Sequence, residues 1–305
     1  MIKTIPTSVA MVRPKNFGFN AQTAENNAFQ NKLDVFTSSQ IQDIALLEFD
    51  NMVNMLKQKG IKVKVFQDND SDTPDSIFPN NWFSTFTDEL VLYSMFTPNR
   101  RKERKPAIYK KLSNDLRKPI NEKLLTREKK GEILEGTGSL VCDYTSKTAF
   151  AALSPRTINE ALDKFEAISG YNTVRFNSYG PDGNLIYHTN VMMTMADTFV
   201  ILGKDSIVEN ERENVVAKLT ALGKDVISIS NNQVFNHFAG NMLQLQNNKG
   251  QKFLVMSKVA FNALTSEQKD IITNKHQNEI IAVPIHIIEK IGGGSARCMM
   301  AEIFY

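Results

Sequence analysis

Between residues 39 and 59, Ile41, Ala45, Phe49, Met52 and Leu56 fall on one face at helical spacing. Ser38 or Ser39 can cap the start, and Gly60 stands where a C-terminal glycine belongs. Residues 61–65 then alternate apolar and polar, the period of a half-buried strand. The same succession returns along the chain. Ile158, Leu162, Phe165 and Ile168 lead to Gly170 and a strand over 173–176. A helix expected over 208–222 leads to Gly223 and a strand over 226–229. Thr265-Ser266-Glu267-Gln268 has capping-box form and precedes a strand over 279–284. A further helix over 106–118 opens on Pro106 and carries Ile108, Leu112 and Leu116 on one side.

After each helix–strand unit comes a short polar segment, then an apolar strand. The segments are Pro79-Asn80-Asn81-Trp82, Glu135-Gly136-Thr137-Gly138, His188-Thr189-Asn190, His237-Phe238-Ala239-Gly240-Asn241 and Gly292-Gly293-Gly294-Ser295-Ala296-Arg297-Cys298. By subtraction, Asn80, Glu135, His188, Asn241 and Cys298 stand 55, 53, 53 and 57 residues apart. A second apolar strand follows four of them, at 90–95, 148–153, 199–202 and 253–256. The last unit lacks its second strand and helix, and the N-terminal strand at 8–12 and the helix at 39–59 supply them. A period near 50 residues signals a repeat architecture. One copy split between the termini suggests a closed ring, with all five polar loops turned toward one axis. An open α/β sheet with loops of no special role would fit the same alternation.

At 305 residues the chain could hold one large domain or two ordinary ones, and the continuous repeat is read as a single domain over 1–305. Net charge is +3, too weak to imply nucleic acid. The basic runs at 100–105 and 127–130 lack the aromatic interleaving of a nucleic-acid module, so they are read as solvated faces. No apolar run reaches the ~18 residues of a membrane span, and the N-terminus lacks a secretory apolar region. A cytoplasmic location is therefore expected.

The two cysteines, Cys142 and Cys298, are too few and too far apart for a disulfide framework or a four-cysteine zinc site. Cys142 sits in an apolar strand and reads as packing. Cys298 follows a glycine-rich turn that packing does not require. Together the loops bring a thiol, an imidazole (His188), a carboxylate (Glu135) and the amides of Asn80, Asn81, Asn190 and Asn241. Thiol, imidazole and carboxylate form the set that nucleophilic catalysis uses. The thiol needs electropositive surroundings to ionise, and the neighbouring Arg297 and glycine backbone are read as supplying them. His237, His276 and His286 are read as structural, with His276 on a helix surface. Trp82 is read as wall or core.

These residues resemble the guanidino-group modifying superfamily of arginine deiminases, dimethylarginine dimethylaminohydrolases, succinylarginine dihydrolases and glycine amidinotransferases. The likeness runs from Met11-Val12-Arg13-Pro14 to Cys298 and is strongest to bacterial citrulline utilization hydrolases. It implies a five-bladed α/β propeller, with Cys298 as nucleophile and His188 and Glu135 as its catalytic partners. Pro74-Asp75-Ser76-Ile77-Phe78-Pro79-Asn80-Asn81 resembles a segment whose last residue, an Asp in relatives, binds guanidinium. The segments at 95–103 and 153–157 resemble those whose arginines, here Arg100 and Arg156, bind a substrate carboxylate. Asn80, Asn81 and Asn190 replace acidic residues of the family and are expected to position the substrate head. Loss of negative charge suits a neutral ureido group better than an always-cationic guanidinium. The resemblance thus implies a hydrolase of a small amino acid, citrulline first, with no metal or organic cofactor and no nucleic-acid or membrane partner. Arginine or methylated-arginine hydrolysis, amidino transfer and a silent binding protein remain open, as does the oligomeric state, a homodimer included.

Overall fold

The structure, a computed structural model, describes residues 4–25, 27–33 and 35–305. Among them, fifteen strands form five sheets of three. The first sheet in chain order pairs β3 (Phe83–Thr85), β4 (Leu90–Leu92) and β5 (Ile120–Asn121). The second pairs β6 (Val141–Asp143), β7 (Thr148–Ala152) and β8 (Asn172–Phe176). The third pairs β9 (Met193–Met195), β10 (Phe199–Leu202) and β11 (Asp225–Ser228). The fourth pairs β12 (Leu243–Gln246), β13 (Lys252–Ser257) and β14 (Asn278–Val283). The fifth joins the two ends of the chain: β15 (Ala301–Ile303), β1 (Ser8–Arg13) and β2 (Lys62–Gln67).

All five share one pattern. The first strand runs antiparallel to the second, and the second runs parallel to the third. A helical segment lies in each parallel connection, because two parallel strands need a long crossover. Middle strands β1, β4, β7, β10 and β13 are buried almost end to end, which is why they read as continuous apolar runs rather than alternating ones. Third strands are more exposed than the middle ones. First strands are buried and touch across units: β15 meets β3, β6 meets β9, and β9 meets β12.

The helices follow the sequence closely. The first long one spans Ser38–Gln58, and Thr37, not Ser38 or Ser39, caps it in a reciprocal box with Gln40. Its buried Ala45, Phe49, Met52, Val53 and Leu56 pack with Val9, Met11, Phe253 and Val283. Each of the four larger side chains contributes ~1.5–3 kcal/mol by leaving water, so this helix binds the fourth sheet to the fifth. Helices Pro106–Leu116, Asn159–Ser169 and Glu209–Ala221 begin and end within two residues of their expected bounds. The capping box at Thr265 is present, but its helix is one turn, Ser266–Asp270, followed by a wider turn over Ile271–Lys275.

Two expectations need correction. His276 is buried against Phe199 and bonded to Thr198, because the strand that follows tucks it under β10. The basic run at 100–105 is not a solvated face. Arg100 is buried, Arg104 and Arg101 pair with Glu128, Lys102 pairs with Asp72, and Lys105 with Asp68 and Asp70. Trp82, read as wall or core, is core: it is fully buried beside Phe83 and does not line the narrow pocket at Cys298.

Candidate active site

The expected amide, carboxylate, imidazole and thiol residues stand just before the first strand of each sheet, while Arg100 and Arg156 follow the second strands β4 and β7. Asn80 and Asn81 lie in the turn Pro79–Asn81 before β3, and Glu135 caps the turn Gly136–Ser139 before β6. His188 opens the turn Thr189–Val191 before β9, Asn241 precedes β12, and Cys298 precedes β15. The turns crowd one another. A Cβ on Gly136, whose φ is +47°, would lie 2.4 Å from the Asn80 carbonyl oxygen. One on Gly138 would lie 2.4 Å from Asn81 Nδ2 and 2.9 Å from the His188 ring. The two glycines are therefore what lets three loops meet.

At the meeting point His188 Nε2 lies 2.7 Å from Glu135 Oε2. The other carboxylate oxygen accepts the Phe96 backbone N–H at 2.9 Å. Arg156 Nη1 and Arg100 Nη1 stand 3.4 and 4.0 Å from Glu135 Oε2. Burial alone would push the Glu135 carboxyl up. Arg156, the bond from His188 and Arg100 outweigh it and hold the group well below the usual carboxylate range. Burial dominates at His188 and pushes the imidazole down to about 4 despite its carboxylate partner. The ring is therefore neutral at pH 7 and free to accept a proton.

Cys298 is buried, and its Sγ receives Asn241 Nδ2 at 3.3 Å and Asn190 Nδ2 at 3.6 Å. The polar groups around the thiol are thus amides. Arg297, expected to supply positive charge, turns away. Its Nη1 donates to the Met300 carbonyl and its Nη2 to Glu302, both at 2.7 Å, because the ion pair with Glu302 draws it behind the loop. Cys142 lies apart from this site, and burial raises its thiol far above the usual value.

Arg100 is held by protein acceptors. Glu103 takes it as a fork, with both bonds at 2.9 Å, Asn81 Oδ1 accepts Nη1 at 2.8 Å, and the Phe78 carbonyl accepts Nη2. The expected contact with a substrate carboxylate would compete with these bonds. Burial raises the Glu103 carboxyl to about 7 against the pull of Arg100. Arg156 lines both the narrow pocket at Cys298 and a larger outer cavity of about 640 Å³, with its guanidinium 4.8 Å above the Tyr187 ring.

Asn81, Arg100, Arg156, His188 and Cys298 line one narrow pocket together with Asp75, Tyr187 and Phe78. Asn190 reaches it through Sγ, Glu135 through His188, and Asn80 packs behind it with its carbonyl accepting Thr137 Oγ1. Sequence reasoning missed Asp75, a buried carboxylate, although it stands six residues before Asn81 in the segment that carried the resemblance. It also missed Tyr187, whose hydroxyl donates to the Gly293 carbonyl at 2.7 Å. Among the described residues no group of three His, Cys, Asp or Glu side chains could hold a metal ion, and no helix is long and apolar enough to cross a membrane.

This fold and family place the chain in the guanidino-modifying superfamily, as a hydrolase acting on carbon–nitrogen bonds other than peptide bonds. The chain belongs to the family described as N,N dimethylarginine dimethylhydrolase, eukaryotic, whose model matches residues 13–305. Solved structures with the same fold include the N-terminal domain of ArgZ, an arginine dihydrolase from the ornithine–ammonia cycle in cyanobacteria. One such structure, covalently bound to a reaction intermediate, is 12% identical, with 97% of each chain covered and a TM-score of 0.75. AgrE with L-arginine is 14% identical with a TM-score of 0.76, matching 97% of this chain but 40% of its own. DDAH from Pseudomonas aeruginosa, in complex with citrulline, is 13% identical, with 98% and 100% covered and a TM-score of 0.67. No curated protein matches the chain by sequence.

Proposed function

We propose that the chain, acting as one domain over 1–305 with its five units closed into a propeller, is a cysteine-dependent hydrolase of L-citrulline. It cleaves the ureido group toward ornithine, ammonia and carbon dioxide in the cytoplasm. The observation that carries the substrate is a pair of buried, unpartnered amide atoms, Asn81 Nδ2 and Asn190 Oδ1. One is a donor and the other an acceptor. A ureido head has a carbonyl to accept and N–H groups to donate, so it satisfies both. A guanidinium has no acceptor and would leave Asn81 Nδ2 unpaired, at ~1–3 kcal/mol.

The roles follow. Arg156, at the junction of pocket and outer cavity, takes the substrate carboxylate, while Arg100 anchors Asn81 and the carboxylates behind it. The Cys298 thiol passes its proton to neutral His188 and attacks the ureido carbon. The adduct expels ammonia, which takes the proton back from His188, and Glu135 steadies the imidazolium between the two transfers. A carbamoyl thioester remains. Water, deprotonated by His188, attacks it, the carbon–sulfur bond breaks, and the thiolate regains its proton. The released carbamate loses carbon dioxide to give ornithine.

One observation favours a second reading. Asp75 Oδ1 also lacks a partner and its residue lines the pocket, which would suit the cationic head of arginine or a methylated arginine. Rates with citrulline, arginine, agmatine and dimethylarginine, assayed for ammonia, ornithine and citrulline, decide between them. Citrulline should have the highest kcat/KM, and Asn81→Asp should move the ratio toward arginine by about tenfold or more, as one charge-assisted bond would. Cys298→Ala should abolish turnover and Cys142→Ala should keep most of it. A wild type that prefers arginine, with a ratio unmoved by Asn81→Asp, would overturn the citrulline assignment.

A further inference from the structure

We infer that Asn241 is a further catalytic residue: its side-chain N–H holds the reacting sulfur of Cys298 as a thiolate. The inference rests on Cys298 being the nucleophile, and it assigns a role to the loop before β12. Both side chains are buried, so water does not compete for the sulfur. Nδ2 lies 3.3 Å from Sγ and also donates to the Asn190 carbonyl at 2.9 Å. Oδ1 accepts the Arg297 backbone N–H at 3.0 Å. The orientation of the amide is therefore decided by its neighbours. A backbone N–H can only donate and a carbonyl can only accept, so oxygen must face Arg297 and nitrogen must face Asn190.

That lock matters for the sulfur. Sγ also stands 3.7 Å from Oδ1, the geometry of a weak S–H donor while the thiol is protonated. Once the proton has gone, Nδ2 is the nearer partner and its bond becomes charge-assisted. Asn190 Nδ2 at 3.6 Å is a second, longer donor. The lock is itself braced. Arg297 is pinned through Glu302, which also accepts the Tyr144 hydroxyl at 3.0 Å. The residue beside the nucleophile thus acts through its backbone, by aiming Asn241, and not through its charge.

The test is the rate at which iodoacetamide alkylates Cys298 in the full chain at pH 7.5, read by mass spectrometry of its peptide. Asn241→Asp keeps the shape but points an oxygen at the sulfur, and Asn241→Ala removes the donor. Both should alkylate about tenfold slower or more, the loss of a bond to a charged group. Both should lower kcat by a similar factor with KM within about twofold. Both should melt lower than the wild type but stay folded at the assay temperature, since each also loses the bond to the Asn190 carbonyl. A measurement needing no change at position 241 backs these. The Asn241 side-chain amide proton should move in step with ionisation at Cys298 and be silent in Cys298→Ala. Equal alkylation of wild type and variants, or an amide resonance indifferent to Cys298, overturns the inference. An inert Cys298 in the wild type would instead remove the cysteine mechanism beneath it.

Discussion

His188 and Glu135 show how burial and pairing divide a proton between neighbours. Both are fully enclosed, yet the carboxylate keeps its charge because Arg156, His188 and Arg100 surround it. The imidazole loses its proton because burial outweighs one carboxylate, which leaves it near 4. The consequence for pH is specific. In the unfolded chain the imidazole takes a proton near 6.5. The folded form does not until about 4. The neutral ring therefore contributes stability in full above 6.5, and that contribution drains away as pH falls toward 4. The Cε1 proton of His188, assigned with His188→Gln and followed by NMR in Cys298→Ala, should titrate near 4. Any acid limb of kcat/KM owed to this ring should fall there too. A midpoint at or above 6.5 would contradict the geometry. Much of this site was legible as residue types at a repeating interval, since Glu135, His188 and Cys298 each open the same part of a unit. The partners were not legible. That Arg100 would be held by Glu103 and Asn81, and that Arg297 would turn from the thiol to Glu302, depends on contacts between loops.

Elements carried further in the sequence than contacts did, and the reason is local. Helix caps and terminal glycines act within a few residues, so the helix at Ser38–Gln58 and the strand after it were readable from spacing alone. The helices Asn231–His237 and His286–Gly292 were not. Each has seven residues, two turns at most, too few for a period to repeat. The turns before the first strands are shorter still, and their glycines are explained only by what lies across the gap. Gly138→Ala tests that explanation. The added methyl meets Asn81 Nδ2 and the His188 ring, and the ring cannot shift without lengthening its 2.7 Å bond to Glu135. We expect kcat to fall about a hundredfold, as small misplacements of reacting groups do, with a stability cost of ~1–3 kcal/mol from overpacking. Gly18→Ala is the control, since nothing lies within 4 Å of its Cβ position and its φ is not positive. Assays of kcat and thermal melting on both proteins decide it. Undiminished kcat in Gly138→Ala would mean that the loops stand further apart than described.

At the scale of the whole molecule, the fifth sheet is the informative one. The other four open with an antiparallel pair made by consecutive strands. In the fifth, β15 and β1 make the same pair from opposite ends of the chain, with Ile303 opposite Ser8 and Ala301 opposite Ala10. Joining the ends would turn that pair into an ordinary hairpin and make the five units alike in connectivity. Sequence alone carried the split unit, because the repeat ran short at one end and had spare elements at the other. Whether the ring closes depends on the β15–β1 ladder and the side chains behind it, which no local pattern encodes. A circular permutant tests this. Tyr305 is joined to Thr4 by about four flexible residues, a usual hairpin-loop length, and new ends are cut in the exposed turn at 248–249 between β12 and β13. The cut leaves Cys298, His188, Glu135 and their loops untouched. We expect the permutant to fold, to melt within a few degrees of the parent and to keep turnover within about tenfold, since cuts at exposed loop tips are the tolerated kind. The parent chain without residues 1–13 should fail to fold, because β15 and β2 both lose their middle strand. A permutant that stays unfolded while the truncated chain folds and turns over substrate would show that the two ends do not close one ring.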